Sequence, residues 1–328
     1  MPTSQPPKNG NAPLAVDRTV TLPIDGSTQR VRMCATRVGL PPILIVQAGP
    51  GFPLLHEVPK FQRRLRLEND FLVCYWEQRG CGSASNLDAK SASLKRHVDD
   101  LRAVLKWVHN ETKQKVMVFG ISIGATYALQ AVARESDRTE AVIAISADSD
   151  TARSDASIDA FLRQQAARAN SRRLNTKIEK LGAPPYTTSR VFQQRAGLMA
   201  DMGGVEHGRT FSSLLGETLF GMMRAYGPVG MVKAIRNMST IQEATLAEMA
   251  SLDLFADPPR LAVPVHYVFG EQDPIVSAEL AKQLPAAIAA PVWTVTFATN
   301  AGHMVHFDHP ELVRSVVMKA RAGDALRR

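Results

Sequence analysis

Residues 116–133 read VMVFGISIGATYALQAVA, eighteen positions without a charge. That length approaches a membrane-spanning helix, but the run holds two Gly together with Ser, Thr and Gln. Its first half is β-branched and aromatic, its second half Ala- and Leu-rich. A buried strand that turns directly into a buried helix fits this change of character, and a membrane span does not. At the turn stands Gly120-Ile121-Ser122-Ile123-Gly124, a G-x-S-x-G. A strand–turn–helix of this kind pushes the serine hydroxyl out at the sheet edge, and its glycines remove side chains that would clash there.

Outward from this stretch, short apolar runs alternate with helical ones. ILIVQ at 43–47, FLVCYW at 71–76, VMVF at 116–119, AVIAI at 141–145, VHYVF at 265–269 and VWTVTF at 292–297 are strand-like. Leu94, Val98, Leu101, Leu105 and Val108 lie on one face of an amphipathic helix. Strands apolar on both sides and separated by helices predict an α/β domain, a mostly parallel central sheet flanked by helices. Residues 151–250 differ. No strand is expected there, and helices are expected at 156–169, 190–202, 211–225 and 240–250, punctuated by Pro184-Pro185, Gly203-Gly204 and Gly227-Pro228. An all-helical insertion between sheet strands reads as a cap over the carboxyl edge, where open α/β sheets bind ligands. The expected division is a disordered tail at 1–13, core at 14–150, cap at 151–250 and core again at 251–328. Met199, Met202, Met222, Met223, Met231, Met238 and Met249 fall in the insertion. They read first as packing for an irregular core and second as a malleable wall for a pocket.

Composition narrows the function. The 328 residues are 45% hydrophobic and 21% charged, ordinary values for a globular chain. Cys34, Cys74 and Cys81 form no C-x-x-C pair, so zinc and dithiol redox chemistry have no support. The start, MPTSQPPKNGNAP, has no apolar core of a signal peptide, and a cytoplasmic location is expected. The net charge is +8, and residues 151–250 carry 13 Lys/Arg against 8 Asp/Glu. The two signs are interleaved and no nucleic-acid signature accompanies them, so a solvated basic surface is expected, with neither nucleic acid nor membrane as partner.

Serine needs a base to take its proton and a third group to orient that base. For a strand-borne serine of this type the acid and then the histidine follow in chain order. Asp273, in GEQDP directly after VHYVF, is the acid candidate. Asp253 and Asp257 lack a preceding strand, and Asp308 is too close to the histidines to project from a separate loop. His303, in Ala301-Gly302-His303 beyond the last strand, is the base candidate, with His306 and His309 as nearby competitors. The oxyanion of a tetrahedral intermediate needs backbone donors. Ile123, just after the serine, and Gly49, in the Gly/Pro-rich loop 47–53, are the candidates. Arg79 reads as a buried brace for the loops around the site.

These motifs together resemble the serine α/β-hydrolases of the proline iminopeptidase-like group. That family's H-G-G-P-G loop is similar to Gln47-Ala48-Gly49-Pro50-Gly51, with Gln-Ala in place of His-Gly, which changes the hydrogen bonding that shapes the loop. Its D-Q-R-G-x-G-x-S segment is similar to Glu77-Gln78-Arg79-Gly80-Cys81-Gly82-Ser83-Ala84-Ser85, with Glu for Asp. The serine turn, Gly270 to Asp273, and Gly302-His303 followed by Pro310-Glu311 complete the set, which covers residues 30–150 and 255–320. The resemblance implies the α/β-hydrolase fold with a helical cap, an acyl-enzyme formed on Ser122, no metal or organic cofactor, and release of N-terminal residues, proline among them, from short peptides. Family aminopeptidases hold the substrate amine with cap glutamates. Glu206, Glu217 and Glu243 are available, and each reads as an exposed helix-face residue. A carboxylesterase or lactonase acting on a medium-sized apolar ester is the alternative activity. A ligand-binding protein that keeps the triad without turnover is the third.

Overall fold

The computed structural model describes residues 13–83 and 92–323. The tail expected at 1–13 therefore lies, except for Pro13, outside the described residues, as do Ala84 and Ser85 of the Glu77–Ser85 motif. The chain runs β1 (Val16–Ile24), β2 (Ser27–Ala35), β3 (Pro42–Val46), α1 (Val58–Leu65), β4 (Leu72–Glu77), α2 (Leu94–Thr112), β5 (Val116–Ile121), α3 (Ile123–Arg134) and β6 (Thr139–Ile145). Four helices follow, α4 (Thr151–Arg168), α5 (Arg172–Glu179), α6 (Ser189–Asp201) and α7 (Phe211–Met249). Then come β7 (Val265–Gly270), α8 (Ala278–Ala287), β8 (Trp293–Ala298), α9 (Val305–Asp308) and α10 (Pro310–Ala322).

The eight strands form one sheet in the order β1-β2-β4-β3-β5-β6-β7-β8. From β4 to β8 neighbouring strands are parallel, while β1 and β2 join antiparallel at one edge. All six apolar runs are strands. Successive residues serve opposite faces, as the period of two requires. Leu44, Val46, Val118 and Tyr267 pack with Val98, Leu101 and Val108 of α2, Leu129 of α3 and Leu284 of α8. Ile43, Ile45, Phe119 and Ile143 pack on the other face with Phe61 of α1 and Val313 and Val317 of α10. The stretch 116–133 is β5 followed by α3, and among the described residues no helix is long and apolar enough to cross a membrane.

Residues 151–250 contain helices and no named strand. Their own small core joins Ile158, Leu162, Ile178, Leu181, Tyr186, Leu198 and Met199. The chain leaves and re-enters the sheet through one paired seam. Thr151 N–H donates to Leu252 O at 3.0 Å and Leu254 N–H to Ser149 O at 2.7 Å. Two helices expected at 211–225 and 240–250 are instead one long element, broken at Gly227 (φ 69°, ψ 176°) and restarted by Pro228. Residues 229–239 are helical as well, and α5 was not foreseen.

Candidate active site

The carboxyl ends of β3, β5, β6, β7 and β8, neighbours in that order, carry Gly49, Ser122, Asp148, Asp273 and His303. Ser122 occupies the turn between β5 and α3 at φ 54° and ψ −127°, a conformation rarely held by a side-chain-bearing residue and typical of strain kept at a working site. Backbone contacts enforce it. Ser122 N–H donates to Ile145 O at 2.8 Å, and Ala125 N–H to Ser122 O at 2.9 Å. A Cβ at Gly124 would run into the carbonyl oxygens of Val46 and Gln47, and one at Gly120 into the Ala125 backbone, so α3 meets the sheet only with glycine at both places.

Asp273 and His303 form a buried pair. Nδ1–H of His303 donates to Asp273 Oδ2 at 2.8 Å, and Asp273 Oδ1 accepts the N–H groups of Ile275 (2.8 Å) and Val276 (3.1 Å). Burial alone pushes the imidazole pKa down, but the charge and hydrogen bond of Asp273, with help from Asp148, hold it above its ordinary value. The histidine loop is fastened on two sides. His303 N–H donates to Gly204 O at 3.0 Å and Met304 N–H to Val205 O at 2.9 Å, while Asp308 accepts from Gly302 N–H at 2.8 Å and His207 N–H at 2.9 Å. Gly270 and Gly302 lie so close that a Cβ on Gly270 would overlap the Gly302 carbonyl.

The competing candidates lie elsewhere. His306 stacks on Phe61 and touches Phe307 and Phe119, and its burial, with Lys60 nearby, pushes its pKa well below the ordinary value. His309 stands at the start of α10. Asp253 and Asp257 are exposed, and Asp308 is the brace just described.

Ser122, His303 and Gly49 line one cavity of about 160 Å³ with residues from α4, α6 and α7. Ile123 opens α3, so its N–H lacks an intrahelical acceptor. In the loop beside it the Gln47 side chain accepts from Ala48 N–H at 3.1 Å and donates to Glu57, so the Ala48 amide is occupied. A second cavity, about 680 Å³, adjoins the first through shared walls at Ala48, Phe52, Phe192, Ala196, Val205 and Met304. Met199 and Met249 line the first cavity, Met222 and Met238 the second, so the methionines also serve as pocket wall. Among the described residues no cluster of three His, Cys, Asp or Glu stands ready to hold a metal ion.

A family model described as "Serine aminopeptidase, S33" matches residues 61–310. The chain belongs to this family. Probable aminopeptidase YbaC of Bacillus subtilis (strain 168) is 24% identical over 304 residues, 91% of this chain and 94% of that protein. A proline iminopeptidase-related protein of Thermus thermophilus superposes with a TM-score of 0.63 at 16% identity, covering 94% of this chain and 98% of that one. E-2-(acetamidomethylene)succinate hydrolase does so with a TM-score of 0.59 at 17% identity, covering 93% and 99%. The fold is that of the α/β-hydrolases and the protein is a hydrolase. At these identities the solved structures carry the fold and not the substrate.

Within this serine aminopeptidase family member, three readings of individual residues change. Glu206 is not on an exposed helix face. It lies buried in the turn between α6 and α7, bonded to Lys60, and burial raises its pKa against the pull of that cation. Glu217 is half-buried, 3.5 Å from Lys60 and 3.1 Å from Arg209. Arg79 is a buried brace, but of different elements. It grips Asp100 of α2 through two bonds of 2.7 and 2.8 Å and reaches the backbone of Ile24 and Asp25. The loops near the site are tied by Glu77, which accepts from Leu55 N–H at 3.3 Å and bonds Arg30 and Tyr226. Sequence reasoning missed Asp148, Asp155, Tyr186 and Arg195, all of which line the smaller cavity. The signal for Asp148 was its position just past the AVIAI strand. Arg195 and Asp155 carried none, because each sits in a helix among surface residues of the same type.

Proposed function

We propose that this hydrolase is an aminopeptidase that works through Ser122, His303 and Asp273. Ser122 Oγ attacks the carbonyl carbon while the far nitrogen of His303 takes the hydroxyl proton, and Asp273 stabilises the imidazolium. The N–H groups of Gly49 and Ile123 receive the oxyanion. Collapse breaks the amide C–N bond, His303 returns the proton to the leaving amine, and water, deprotonated by the same imidazole, releases the acid from the acyl-enzyme. Residues 151–250 act as the cap that closes the acyl side.

The observation that carries this reading is the pair of unequal cavities. The smaller one holds Ser122 and His303 and suits the single residue that an aminopeptidase removes, whereas the larger one beside it suits the rest of a short peptide. A second reading, an esterase or lactonase, draws on the apolar wall of Phe52, Ile158, Met199, Leu246 and Met249. Comparing hydrolysis of prolyl and alanyl p-nitroanilides with that of short-chain p-nitrophenyl esters, with Ser122→Ala as blank, separates them. Serine-dependent anilide cleavage is expected. Ester cleavage alone would move the protein to the second reading.

The two neighbouring histidines give a contrasting pair of variants. His306→Ala empties part of the Phe61–Phe307 cluster and costs roughly 3 kcal/mol of stability, with kcat/KM kept within about tenfold. His303→Ala keeps the fold and loses roughly 10⁴-fold or more in kcat/KM. Thermal unfolding and the same hydrolysis assay read both.

A further inference from the structure

The substrate's charge should be recognised in the smaller cavity, and its walls show where. Asp148 follows β6, the strand between β5, which ends at Ser122, and β7, which ends at Asp273. It therefore rises between nucleophile and triad acid, and it lines the cavity with both Ser122 and His303. Neighbouring helices hold it firmly. Thr126 of α3 bonds its carbonyl, Ser154 Oγ of α4 donates to Oδ1 at 3.1 Å, and Asp150, two residues on, caps α4 through Arg153 N–H at 3.0 Å. Its other oxygen, Oδ2, has no hydrogen-bond partner among the described residues.

The charged groups on the cavity wall are Asp148, Asp155, Arg195 and His303. Arg195 bonds Asp155 and lies 5.0 Å from the ring centres of both Tyr186 and Phe192, so that pair is neutral. With His303 spoken for by Asp273, the charge left over is the negative one on Asp148. Two further side chains mark the place as built for a polar ligand. Tyr186 (5% exposed) and Arg195 (6% exposed) line the cavity, and Tyr186 Oη and Arg195 Nε have no hydrogen-bond partner among the described residues. A carboxylate-bearing acyl group would meet Asp148 as a like charge, and an ammonium group would be attracted.

We propose that Asp148 is the specificity residue of the site, its free oxygen binding the protonated α-amine of the N-terminal residue whose carbonyl Ser122 attacks. This rests on the aminopeptidase reading. The α-nitrogen is two bonds from the scissile carbonyl carbon, so its partner must stand beside the nucleophile. The glutamates that could have served do not. Glu206 and Glu217 line the other cavity and are neutralised by Lys60 and Arg209, and Glu243 is exposed and accepts the Ser189 N–H at 2.8 Å. Asp148 does not substitute for the triad acid either, because Nδ1 of His303 is taken by Asp273 and no hydrogen bond joins Asp148 to the ring.

The test compares L-alanyl p-nitroanilide with isobutyryl p-nitroanilide, in which a methyl replaces the ammonium. Wild type is expected to prefer the alanyl substrate, and Asp148→Asn, with folding checked by thermal unfolding, to lower the ratio of the two kcat/KM values roughly 10²-fold. A ratio that does not change while alanyl cleavage still depends on Ser122 would overturn the role of Asp148 and leave the aminopeptidase reading standing. Absence of Ser122-dependent alanyl cleavage in wild type would overturn both. A measurement on wild type alone guards against a variant that misfolds. L-alaninol should inhibit p-nitrophenyl ester hydrolysis competitively and far more strongly than isobutanol, its uncharged isostere, and equal inhibition would also overturn the proposal.

Discussion

Ser122→Ala should lower kcat/KM by roughly 10⁵- to 10⁶-fold while leaving the protein folded. The size of the loss follows from the mechanism. Without Oγ no acyl-enzyme forms, and only the oxyanion donors and substrate binding remain, which together give a small residue of catalysis. Stability should change by no more than about 1 kcal/mol. Ser122 Oγ makes no hydrogen bond among the described residues, and the turn is held by the amides of Ser122 and Ala125 and by the close approach of Gly124 to β3, none of which the substitution touches. Thermal unfolding together with anilide and ester hydrolysis checks both halves. Substantial retained turnover would place the nucleophile elsewhere.

Asp273→Asn should cost roughly 10⁴-fold in kcat/KM and should also move the pH profile. The base must be neutral to accept the serine proton, so activity rises as pH passes upward through the His303 pKa. In the native protein burial pushes that pKa down, but Asp273 and, more weakly, Asp148 lift it above the ordinary histidine value. Asparagine removes the larger lifting charge and leaves the burial. The acid limb of kcat/KM should therefore shift to lower pH, below the ordinary histidine value. The amide can also accept from Ile275 and Val276 N–H, so the loop keeps its shape. A limb that stayed in place would mean that another acid sets the histidine's charge.

The parallel half of the sheet was legible in the sequence because its strands are covered on both faces and read as continuous apolar runs. β1 and β2 were not. VDRTVTLPI and STQRVRMCA alternate polar with apolar residues, and β1, on the sheet edge, buries only Leu22 fully. β2 becomes a strand by pairing with β4, and β1 by pairing with β2, through registers that local composition does not carry. The second half of α7 was hidden for a related reason, since Gly227-Pro228 reads as an end but here ends one helix and starts the next. Of the site, the parts fixed by close backbone approach could be read directly: the glycines around Ser122, the Gly270 to Asp273 turn, and Gly302 before His303. The cavity wall could not, because it is assembled from the β6 loop, α4, α6 and α7, segments far apart in the chain whose Asp and Arg residues look like surface charges until they are packed together. Glu206 illustrates the same limit, a charge that only the fold brings against Lys60.

The central claim, that Ser122 is a nucleophile activated by His303, is tested most directly by covalent labelling. The folded enzyme would be treated with a fluorophosphonate, digested, and the modified peptide sequenced by mass spectrometry. The result expected is one adduct per chain on Ser122, absent in Ser122→Ala and formed far more slowly in His303→Ala. An adduct on another residue, or none on Ser122 under conditions that label a known serine hydrolase, would contradict it.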